Sequence, residues 1–120
     1  MNKKNKTILA SAARTATATA SGIDTGDAPA AYFVLDVTVD GAAASITWKV
    51  DYLDETSGKY VNLLTGAAVA DVGTTVYKIS PALTAVANSV AAEHLPPTLK
   101  VTVTHADTDS ITYSVGMILL

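Results

Sequence analysis

The residues with the strongest claim to chemistry are His105, Asp107 and Asp109, spaced i, i+2 and i+4. In extended backbone that spacing points one imidazole and two carboxylates the same way, an arrangement a divalent ion would use, although such ions take more donors from a closed loop. Aspartates at a hairpin tip also accept hydrogen bonds from their own backbone, and no further ligand lies near in sequence, so the turn reading is preferred. His94, beside Glu93 and ahead of Leu95-Pro96-Pro97, is the only other imidazole. No serine occupies a GxSxG elbow, which leaves His94 as a loop or interface histidine whose titration near neutrality would make association pH-sensitive.

The remaining candidates are weaker. Gly22, Gly26, Gly41, Gly58, Gly66 and Gly73 form neither GxGxxG nor GxxxxGK[ST] and read as turn residues. Asp36 and Asp51 fall at solvent-phase positions of separate strands, with no cleft in which paired carboxylates would converge. Cysteine is absent, which removes disulfides and thiolate metal sites. Tyr32, Tyr52 and Tyr60 could stack on sugar rings, or serve as cross-strand packing partners. The pattern predicts no catalytic residue, no metal and no cofactor, hence a protein that is not an enzyme.

The elements that would position these groups are strands. Leu99, Val101 and Val103 alternate with Lys100, Thr102 and Thr104, and Ile111, Tyr113, Val115 and Met117 alternate with Thr112, Ser114 and Gly116; residues 105–110 form the polar link of a hairpin. Phe33, Leu35, Val37 and Val39 mark another core face, opposite Tyr32, Val34, Asp36 and Thr38. Ile46, Trp48, Val50 and Tyr52 mark a third, with Trp48 as the largest anchor. Residues 54–59 supply a turn, 60–64 a short strand, and 74–79 a strand halted by Ser80-Pro81. Pro81 to Leu95 reads as a crossover loop with a possible helical turn, since Leu83, Val86 and Val90 fall at i, i+3 and i+7. This predicts an all-β fold, an antiparallel β-sandwich of about seven strands with a small barrel as the alternative.

Residues 1–20 read as an extended N-terminal arm and 21–120 as the sandwich domain. Thr15, Thr17 and Thr19 alternate with alanines that bring little side chain to a core, so the segment is either a weak edge strand of its own domain or an arm that pairs with a neighbouring subunit. Without Lys3, Lys4 and Lys6, five positive residues face eleven negative ones, a balance of −6. That body makes nucleic acid an unsuitable main partner. No run reaches the roughly 18 to 20 apolar residues of a membrane helix. The lysines before Ile8, Leu9 and Ala10 imitate a secretory leader, but the apolar stretch falls short of the usual ~7 to 15 residues.

Four segments carry a resemblance: SAARTATATASG at 11–22, SGKYVNLLTGAAV at 57–69, TTVYKISPALTAVAN at 74–88 and LPPTLKVTVTHADTDSITYSVG at 95–116. Together they resemble small virion proteins encoded in tailed-bacteriophage structural gene blocks. The resemblance implies a protein made in the host cytoplasm that ends in the virion, on the capsid surface as a decoration or cement protein. Tail-tube, neck or fibre-base subunits are the alternative, and a carbohydrate- or surface-binding module is a second. It implies as partners the major capsid protein or other virion proteins, and further copies of the chain, a trimer being favoured. Candidate contact residues are Thr7, Ile8, Leu9, Arg14, Thr15, Thr17 and Thr19 in the arm, His94, and the apolar end Ile118, Leu119 and Leu120, which must be buried in its own sheet or against a partner.

Overall fold

Alternating apolar and polar side chains commit most of the chain to extended backbone. The described residues, 4–41 and 43–120 of a computed structural model, form strands and turns with no helix; Lys3 of the basic cluster lies outside them. The strands are β1 (Lys4–Arg14), β2 (Ala18–Asp24), β3 (Ala31–Val39), β4 (Ile46–Asp54), β5 (Lys59–Thr65), β6 (Gly73–Ile79), β7 (Val90–Ala91), β8 (Thr98–His105) and β9 (Ile111–Leu119). They build a five-stranded sheet, β1-β9-β3-β6-β7, and a four-stranded sheet, β2-β8-β4-β5, antiparallel except for β6 and β7. Two separate sheets make this a sandwich and not a barrel.

The inner faces supply one core. Phe33, Leu35, Tyr77, Tyr113 and Met117 from the larger sheet meet Ile46, Trp48, Val50, Leu99 and Val101 from the smaller, all essentially inaccessible. Trp48 stacks on Tyr77 with ring centroids 4.0 Å apart and 6° between planes, and Phe33 tilts against it at 5.2 Å. Each such side chain contributes about 1.5–3 kcal/mol of burial free energy. Gly66 lets Tyr77 into that stack: a Cβ there would lie 2.5 Å from Tyr77 Cε1. Gly66 is therefore a buried packing residue and not only the loop residue its neighbours in sequence imply.

Four other expectations change. The first 20 residues split at a bend over 15–17 into β1 and β2, which pair with β9 and β8 of the same chain, so a boundary at residue 20 falls inside β2. Together with the two-residue β7, this raises the strand count from about seven to nine. Val39 is 57% exposed because the register with β9 slips between Val37 and Val39 and turns it outward. Asp51 is buried, not solvated: it lies beside a register slip between β4 and β5, under Lys49 and Asn62. The connection from Ser80 to Leu95 carries two hydrogen-bonded turns, one closed by the Leu83 N–H on the Ser80 carbonyl and one by the Ser89 and Val90 N–H groups on the Val86 carbonyl, with Asn88 at φ 66° in the middle of the second.

Candidate assembly surface

The register of β1 with β9 brings the two ends of the described chain together, with Lys4 opposite Leu119, Asn5 opposite Ile118 and Thr7 opposite Gly116. Thr7, Ile8, Leu9, Ile118 and Leu119 thus share one region. Ile8 and Leu9 are half-buried against the core, and Leu119 is buried within its own sheet. Leu120 donates its N–H to the Ala30 carbonyl. Thr15 and Thr17 lie at the opposite end of the sandwich, Thr19 sits on β2 in the other sheet opposite Thr102, and His94 is exposed in the link to β8. The candidates therefore do not form one patch.

Arg14 fastens the far end of β1. Two register slips in β1, between Thr7 and Leu9 and between Leu9 and Ala12, interrupt the ladder. The guanidinium fills the gap, donating to the carbonyls of Ala10, Ala12 and Tyr113 while lying 4.7 Å from the centre of the Tyr113 ring. Tyr113 Oη and His105 Nε2 share a hydrogen bond of 2.8 Å, and Thr17 Oγ1 accepts the His105 main-chain N–H. Burial, with Arg14 adding to it, holds the His105 pKa below its ordinary value, and burial raises that of Tyr113. His105 thus turns to Tyr113, while Asp107 accepts the N–H of Asp109 as a turn residue does. Among the described residues no three His, Asp or Glu side chains stand where they would hold a metal.

The outer face of the larger sheet carries a feature the sequence reading passed over. Cross-strand rows run Asn5, Ile118, Tyr32, Lys78 and Thr7, Gly116, Val34, Val76. Val34 and Ile118 are half-buried, Val76 is exposed, and Lys78 Nζ lies 5.1 Å from the centre of the Tyr32 ring. At Gly116 the missing side chain leaves an open groove of about 310 Å³ lined by Asn5, Thr7, Val34 and Ile118. The signal was available: Val34 and Val76 are valines at positions whose strand phase points away from the core.

The outer face of the smaller sheet is polar. Asp51 accepts from Asn62 at 3.0 Å and pairs with Lys49 at 3.8 Å, and Lys100 Nζ sits 5.1 Å from the Tyr60 ring centre. Tyr32 belongs to the other sheet, and Tyr52 packs against the core, so the three tyrosines share no stacking surface.

No family model matches the chain, and no curated protein matches it. Solved structures share its fold. The SPBc2 prophage-derived protein YomS aligns over 98% of this chain and 92% of its own, at 14% identity and a TM-score of 0.59. Infectious bursal disease virus VP2, in its subviral particle, matches 98% of this chain with 31% of its own, at 13% identity and a TM-score of 0.53. The CBM22-1-GH10 modules of Clostridium thermocellum xylanase 10B, complexed with xylohexaose, match 98% of this chain with 24% of theirs, at 12% identity and 0.53. At these identities the likeness is one of β-sandwich architecture, shared by a phage protein, a viral particle protein and a carbohydrate-binding module.

Proposed function

We propose that the protein is a virion structural protein that decorates a phage capsid, binding the assembled shell and stabilising it through many repeated contacts. The observation that carries this reading is the outer face of the five-stranded sheet. A sandwich with a complete core between its sheets has no internal use for Tyr32, Val34, Val76 and Ile118 on its outside. An open face of that kind, grooved at Gly116, suits another protein surface better than a small molecule, which takes an enclosed pocket. The fold shared with a prophage-derived protein and with the protein of a viral particle supports the same reading. Binding only the assembled shell would stabilise it by mass action, and many copies would multiply a modest affinity per site. The chain acts without catalysis or cofactor and associates with further copies of itself, a trimer at local threefold axes being the favoured arrangement.

Quantifying the chain in purified particles tests this. Hundreds of copies, lost together with shell stability when the gene is deleted, are expected. A handful of copies at a vertex, or multiples of six along a tail, would move the protein to the neck or tail.

A further inference from the structure

The two lateral edges of the five-stranded sheet differ in chemistry. One is β1, whose Lys4 and Lys6 enter at the end where Lys4, Leu119, Ala31, Ile79 and Ala91 form a single row across all five strands. The other is β7 with the segment before and after it, where Glu93 follows Ala91 by two residues and is exposed. Lys4 therefore stands level with Ala91, two residues before Glu93, on the opposite edge of the sheet. The 81–89 loop on the β7 side exposes Leu83 and Val86, the latter 52% accessible, and is held in place by the Asn88 side-chain amide on the Thr65 carbonyl. The β1 side offers the half-buried Ile8 and Leu9, with the alanines of β1 beside them. An anchored loop that displays two aliphatic side chains beside an acid thus has, on the opposite edge of the sheet, an apolar and basic counterpart, with Val86 bridging Val90 on the row of Asn5 and Leu9 further along on the row of Val115.

We propose that copies of this chain associate side to side, the β1 edge of one copy receiving Leu83 and Val86 of the next, with Lys4 opposite Glu93. The contact joins unlike surfaces, so it propagates from copy to copy and closes into a ring when the rotation between neighbours permits. Self-pairing of two β1 edges is disfavoured, because antiparallel alignment of residues 4–8 would set Lys6 against Lys6. Asp24 and Asp27 flank the same corner on the four-stranded side, so the net attraction is local to Lys4 and weakens with salt. The inference rests on the self-association in the proposed function and leaves the sheet's outer face free for the shell.

Sedimentation velocity and light scattering on the purified chain, from about 1 μM to about 1 mM, test it. Concentration-dependent association is expected. Val86→Asp should weaken it by about tenfold or more without changing the unfolding midpoint, since the side chain projects into solvent. Lys4→Glu and Glu93→Lys should each weaken it, and the double charge swap should recover it. A chain monomeric throughout that range, or a double swap no better than the singles, overturns the contact. Neither result touches shell docking, which is read separately by binding the same variants to particles that lack the protein.

Discussion

The guanidinium of Arg14 lies 4.7 Å from the centre of the Tyr113 ring and donates to the main-chain carbonyl of the same residue at 2.7 Å. One side chain thus replaces the ladder that the slips in β1 remove. Arg14→Ala would leave the partly buried Tyr113 carbonyl without this donor and remove the cation–π contact, a cost of about 1–2 kcal/mol. Urea unfolding should show that loss, with amide exchange accelerated first in 4–14. Arg14→Lys should recover only part of it, because an ammonium cannot span three carbonyls as a planar fork does.

His105 gives stability a pH dependence of defined sign. Its folded-state pKa lies below the ordinary value, so the unfolded chain takes up the proton first as pH falls. The contribution is fully present above about 6.5 and is lost on acidification from there towards the lowered folded value. Nδ1 is buried with no partner among the described residues, so a charged ring has nothing there to donate to on that side. The melting temperature should fall between pH 7.5 and 5.5, and His105→Gln should flatten that slope.

Gly66 fixes the Trp48–Tyr77 stack. Its N–H donates to the Trp48 carbonyl at 2.8 Å, and an added methyl would meet the Tyr77 ring. Gly66→Ala should cost about 1–3 kcal/mol through overpacking. Combining it with Tyr77→Leu should give less than the summed loss, measured as a double-mutant cycle by denaturant unfolding.

Gly116 separates docking from folding. The nearest atom to a Cβ built there is the Lys6 carbonyl oxygen at 3.9 Å, an ordinary contact. Gly116→Val should therefore leave the unfolding midpoint within about 0.5 kcal/mol of the parent while filling the groove, and particle binding should drop. Val34→Asp, one strand over, should also lower particle binding, with a loss of stability because Val34 is half-buried on a central strand.

The sandwich was legible because period two is a strong signal wherever one face is buried. Residues 31–39 form one strand with Phe33, Leu35 and Val37 inward, as expected, and Trp48 occupies the centre as its size requires. What stayed hidden was set by register. The slip that exposes Val39 and the slips that Arg14 plugs depend on which residues lie opposite in strands about 70 to 110 positions away, which no local pattern records. The apolar outer face was written in Val34 and Val76, yet each alone reads as an ordinary exposed valine. Only the pairing of β3 with β6 makes them neighbours.

Because Lys4 pairs with Leu119, the two ends of the described chain sit across a single rung of the β1–β9 ladder. Tension between them would unzip that ladder one rung at a time, the weakest way to load a sheet, whereas a pull between Arg14 and Leu119 would shear many rungs together. A molecule tethered by both ends would peel open at low force. One gripped by its broad outer face would pass the load through the whole sandwich, and single-molecule stretching in the two geometries would rank them.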